Sequence, residues 1–117
     1  MKKYILLLLF PLLVQAQEQE VGPSHFVALY TVGSLWDMEK QPGEQPFFKD
    51  HSAFLSRLRK DSVIVMGARY SDTGMIVFKA LDLKSAEALL HEDIAVQNEL
   101  FNIEVHPFNA FYKGCVE

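Results

Sequence analysis

Residues 26–32, Phe-Val-Ala-Leu-Tyr-Thr-Val, constrain the fold more than any other stretch of this chain. The run is rich in β-branched and aromatic residues, which marks it as a strand. Period-two alternation puts Phe26, Ala28, Tyr30 and Val32 on one face and Val27, Leu29 and Thr31 on the other. Both faces are largely apolar, so both must be covered.

The remaining pattern supplies two helices and three more strands. Residues 33–46, with Trp36, Asp37, Glu39, Pro42, Gly43 and Glu44, read as a long loop, and loops of this length in compact domains are often functional. A helix follows over 47–60, with Phe47, Phe48, Phe54, Leu55 and Leu58 on one apolar face. Residues 63–67 and 75–80 read as strands joined by the turn Tyr70-Ser71-Asp72-Thr73-Gly74. Asp82 is placed to cap a second helix over 83–91, and 92–99 reads as irregular or a broken helical turn. Residues 100–108 alternate Phe101, Ile103 and Val105 with Asn102, Glu104 and His106, a half-buried strand. The order β-α-β-β-α-β predicts an α+β, ferredoxin-like domain: one antiparallel sheet with both helices on one face. No element is left for the other face, so a second copy is expected to cover it, making a homodimer.

The chain has 117 residues, enough for one domain. Its start reads as a signal peptide over 1–16: Lys2 and Lys3, an apolar run from 4 to 14 that is short for a membrane span, and small residues before a cleavage point after Ala16. A retained membrane anchor is the alternative. Residues 17–25 read as a flexible leader and 26–114 as the domain. Periplasmic or secreted localisation follows, with no membrane association after cleavage. Cleavage would leave 9 of the 11 basic residues against all 15 acidic ones, a formal charge of −6. With no Lys/Arg patch, nucleic-acid binding is not expected. Cys115 stands alone in the chain, either an inert thiol or a cross-link between copies.

Topology then gathers chemistry at one end of the domain. The start of the first helix, the hairpin turn and the end of the second helix meet there, together with the 33–46 loop. His51, Asp93, Arg69 and Tyr70 are the residues so collected. His51 shares the buried helix face with Phe54 and Leu55. An imidazole near neutral pH exchanges protons, and a carboxylate on its other nitrogen fixes the tautomer. His51 and Asp93 are therefore the candidate catalytic pair, with Tyr30, Trp36, Arg69 and Tyr70 as candidate substrate-binding residues. The competing reading makes His51 a core histidine bonded to backbone and Asp93 a cap or surface charge just past a helix end. No phosphate loop, nucleophile motif or metal-ligand spacing is present, so neither a cofactor nor a metal is expected.

The same positions carry a resemblance. Asp50-His51-Ser52-Ala53-Phe54-Leu55, Val65-Met66-Gly67-Ala68, Ser85-Ala86-Glu87-Ala88-Leu89-Leu90-His91-Glu92-Asp93 and Leu100-Phe101-Asn102-Ile103-Glu104-Val105-His106-Pro107-Phe108 are similar to the YCII-related family. The resemblance implies a dimeric α/β barrel, with the family's presumed active-site histidine at His51 and its aspartate at Asp93. Two positions depart from the family pattern: Ile94 stands where proline is usual and Glu99 where glycine is usual. Two functions remain open on this sequence. One is a cofactor-independent enzyme of lyase, isomerase or hydrolase type, moving a proton on a small organic molecule; an aromatic or lactone-like substrate is what the resemblance implies. The other is a non-catalytic periplasmic small-molecule-binding or stress-related module using the same pocket.

Overall fold

A computed structural model of the chain describes residues 22–115. The signal-peptide reading and most of the leader fall outside them. The described residues form an α+β domain with four strands in one antiparallel sheet: β1 (Ser24–Val32), β2 (Ile64–Tyr70), β3 (Thr73–Ala80) and β4 (Phe101–Pro107). The helices are α1 (Phe48–Lys60), α2 (Leu83–Leu90) and a short α3 (Ile94–Gln97). The strand order β2-β3-β1-β4 is compatible with a ferredoxin-like fold. Among the described residues no helix is long and apolar enough to cross a membrane.

The alternation in β1 sorts the two faces of the sheet. Phe26 pairs with Phe78, Ala28 with Ile76 and Tyr30 with Gly74, and on the other side Ala28 pairs with Val105 and Tyr30 with Ile103. This face meets Phe54 and Leu58 of α1, Ala86 and Leu90 of α2 and Val96 of α3 in one buried core. Burial of large apolar side chains here supplies the main drive to fold, at about 1.5–3 kcal/mol each.

Helix ends are settled by local chemistry. The Asp82 side chain accepts the Ser85 N–H at 2.8 Å and starts α2. Arg57, Arg59 and Lys60 crowd the last turn of α1, where the helix dipole favours cations. That helix then closes with Val63 N–H donating to the Leu58 carbonyl and Ser62 N–H to that of Arg59, with Ser62 left-handed at φ 63°. This is the Schellman arrangement. It recurs after α3, where Leu100 N–H donates to Ala95 and Glu99 N–H to Val96, and Glu99 takes φ 63°. The residue at that position must be left-handed, and glycine is the least strained occupant.

Two sequence expectations are revised, and one left open is resolved. Ser24 and His25, assigned to the leader, extend β1 and pair with Ala80 and Lys79. For residues 92–99, read as irregular or a broken helical turn, the helical alternative holds: the one-turn α3 lies there, capped by Asp93. Finally, the outer face of the sheet does have some cover from this chain. After β4, Phe108 N–H donates to the His25 carbonyl at 3.0 Å, and residues beyond it cross above Val77, which is 3 % exposed.

Candidate active site

His51 lies one turn into α1, on the face that buries Phe54 and Leu58 three and seven positions later. Its helix starts from Phe47, a bulky residue in the left-handed region at φ 66°, whose carbonyl accepts the His51 N–H at 3.0 Å. Non-glycine residues with positive φ are strained and concentrate at functional sites. From the other side, Asp93 ends the turn after α2 and caps α3. Its Oδ1 accepts the Ala95 N–H at 2.9 Å, and its Oδ2 lies 2.6 Å from His51 Nδ1. Topology brings the pair together across 42 residues of chain.

Both members are buried, His51 at 8 % exposure and Asp93 at 1 %. A carboxylate so enclosed survives only with its oxygens bonded, and both are. An ionised Asp93 takes the proton on Nδ1 as its donor, so the neutral ring leaves Nε2 as the proton-accepting nitrogen. The ring sits among aromatics: Phe101 at 4.6 Å between centroids, Tyr30 at 5.3 Å and Phe48 at 6.2 Å.

A cleft of about 360 Å³ opens beside this ring, lined by His51, Ser52, Tyr30, Phe48, Arg69 and Phe101 among others. Its space comes from glycine. Gly67 pairs with Ile76, and Gly74 with both Tyr30 and Arg69, so these glycines fall on the helix-facing side where a side chain would fill the gap. A Cβ built on Gly67 comes no nearer than 3.8 Å to any neighbour, so space rather than backbone crowding surrounds it.

Of the candidate binding residues, Tyr30 and Arg69 line the cleft. Trp36 and Tyr70 are not in its wall. Tyr70 follows Arg69 in β2, and successive strand residues point to opposite faces; it pairs with Thr73 and is 53 % exposed. Trp36 packs behind the site on Phe101, with centroids 5.7 Å apart. Its loop is pinned by Gln45, which is 4 % exposed, accepts the Asp37 N–H and donates to the carbonyls of Asp37 and Lys40.

Tyr30 has a further peculiarity. Its hydroxyl is buried and has no hydrogen-bond partner among the described residues. Burial, and then the negative charge of Asp93, hold the phenol well above its ordinary pKa, so it remains a donor. Sequence reasoning missed Phe101 as a site residue, since alternation marked it as core, and missed Gln45, which carried no signal beyond its place in the loop. Among the described residues no three His, Cys, Asp or Glu side chains converge as metal ligands. Comparisons with protein-family models, curated proteins and solved structures returned no significant match.

Proposed function

We propose that this is an exported, YCII-related homodimeric enzyme that moves a proton on a small organic molecule without a cofactor. The observation that carries this reading is the buried 2.6 Å contact between His51 and Asp93 beside an open cleft. A histidine kept only for packing needs one backbone acceptor. Here a desolvated carboxylate is spent on it instead, which is the arrangement that orients a general base. His51 Nε2 takes a proton from the substrate, or returns one, while Asp93 holds the ring and balances its charge. Apolar walls from Phe48, Phe101 and Ile76 fit an unsaturated or aromatic body, and Arg69 favours oxygen atoms on it.

The test is deuterium exchange in D2O, followed by NMR, over a panel of small enolisable acids and lactones. Exchange at an acidic C–H should require His51 and be lost by at least ~100-fold in His51→Gln, within the range general acid–base catalysis supplies. Gly67→Val, which fills the cleft while leaving the pair in place, should abolish it too. Exchange equal in wild type and His51→Gln overturns the acid/base role. Binding that needs Gly67 but shows no exchange makes the cleft that of a binding module.

A further inference from the structure

The outer face of the sheet carries both a hole and the means to fill one. Val27 and Leu29 of β1 pair there with Val77 and Met75 of β3, and Met66 of β2 pairs with Val77. Val65 and Met66 remain 50 % and 39 % exposed. The segment after β4 crosses this apolar field without settling on it, leaving a cavity of about 810 Å³ bounded below by Val65, Met66 and Val77 and above by Ala110, Tyr112 and Lys113. That crossing segment carries the two most exposed large apolar side chains among the described residues, Phe111 at 89 % and Tyr112 at 87 %. Their rings meet edge to face with centroids 5.2 Å apart, and neither meets another aromatic ring among the described residues. A chain gains nothing from presenting two adjacent aromatics to water above an apolar hollow.

We infer that the 108–115 arm is a dimerisation arm, whose Phe111–Tyr112 pair docks on the outer sheet face of a second copy of this chain. The inference rests on the homodimer proposed above and says what holds it. A patch that carries both knob and hole is self-complementary, the requirement of a two-fold interface in which each copy gives and receives the same contact. An aromatic side chain buries about 150–250 Å², so the four rings of two arms supply about 600–1,000 Å², roughly half of the 1,200–2,000 Å² that a stable interface buries in all, and the receiving surface beneath them has to supply the rest. Val65 and Met66 of each copy, half-open in the single chain, add to that sum. The partner face is polar toward β4, where Asn102, Glu104 and His106 share the outer side, so the arm is directed to the β2–β3 half.

The measurement is sedimentation equilibrium of the full exported protein and of the double variant Phe111→Ser/Tyr112→Ser, at matched micromolar concentration. Because both side chains are exposed within one chain, the double variant should keep its fold, checked by its amide NMR spectrum. Its dimer dissociation constant should rise at least ~100-fold, the consequence of losing two buried aromatic anchors. Met66→Glu, on the receiving surface, should weaken the dimer in the same direction. A double variant that dimerises with wild-type affinity overturns the arm while leaving the homodimer standing. A monomeric wild type overturns both, including the case in which the cavity takes up an apolar dye such as ANS with no change of mass.

Discussion

Two aspartates in this protein do the same local job in different surroundings. Asp82 caps α2 and Asp93 caps α3, each accepting a backbone N–H from the first turn of its helix. Asp82 stands in water, and the cap accounts for its chemistry. Asp93 is 1 % exposed and commits a second oxygen to His51. Capping four residues of helix needs no buried carboxylate, since a serine or asparagine would serve. The surplus at Asp93 is the bond to the imidazole, and that surplus separates a structural residue from a functional one.

The largest break in this comparison comes from alanine. Asp93→Ala removes the cap of α3, worth about 0.5–2 kcal/mol, and leaves the His51 ring Nδ1–H buried without an acceptor, worth about 1–3 kcal/mol. A loss of about 1.5–5 kcal/mol in urea unfolding is expected. Asp82→Ala should cost clearly less, because water replaces the lost acceptor. Equal losses would mean that Asp93 contributes a cap and nothing more.

How much of this the sequence disclosed depends on the kind of physics involved. Period-two alternation is a strong signal, so the strands, the two longer helices and their order were legible, and chain order alone carried His51 and Asp93 to one end. The burial of Asp93 was not legible. A polar residue after a helix reads as peripheral, and nothing local announces that α3 folds over it to seal it from water. Tyr70 was misplaced for a simpler reason. The turn is two residues, Ser71 and Asp72, so Tyr70 still belongs to β2 and alternation turns it away from Arg69. The arm was missed because two aromatics in a tail have no periodicity to read.

A sharper cut keeps the cap and changes the bond. Asparagine at 93 retains the acceptor for Ala95 but presents an N–H₂ group to His51 Nδ1, which must then accept. The ring proton should move to Nε2, visible in long-range ¹H–¹⁵N spectra of the ring, at a stability cost of about 1 kcal/mol. Glu99→Gly provides the control from the other end of α3. It relieves the left-handed strain at φ 63° and should return up to about 1 kcal/mol to the Asp93→Asn protein. It should leave the altered tautomer untouched. Recovery of the original tautomer with Glu99→Gly would show that helix stability, rather than the carboxylate, sets the ring.

The smallest expected effect isolates the structural member of the pair. Hydrogen bonding from Ser85, its backbone N–H first, lowers the Asp82 pKa, with Lys84 adding to the shift. A carboxyl whose folded pKa lies below its unfolded one stabilises the fold fully above the unfolded value of about 3.9. That contribution fades as pH falls through the lower folded value. Asp82→Asn keeps a neutral acceptor at the cap and should flatten this part of the acid-stability profile without moving the midpoint of urea unfolding near neutral pH by much. The charge itself is favoured at a helix N-terminus, so a small neutral-pH loss is expected and should shrink with added salt. His51 ring spectra should be the same in Asp82→Asn and wild type. If the ring responds to this exposed cap, the two aspartates share one network through α2, and the division between a structural and a functional carboxylate does not hold.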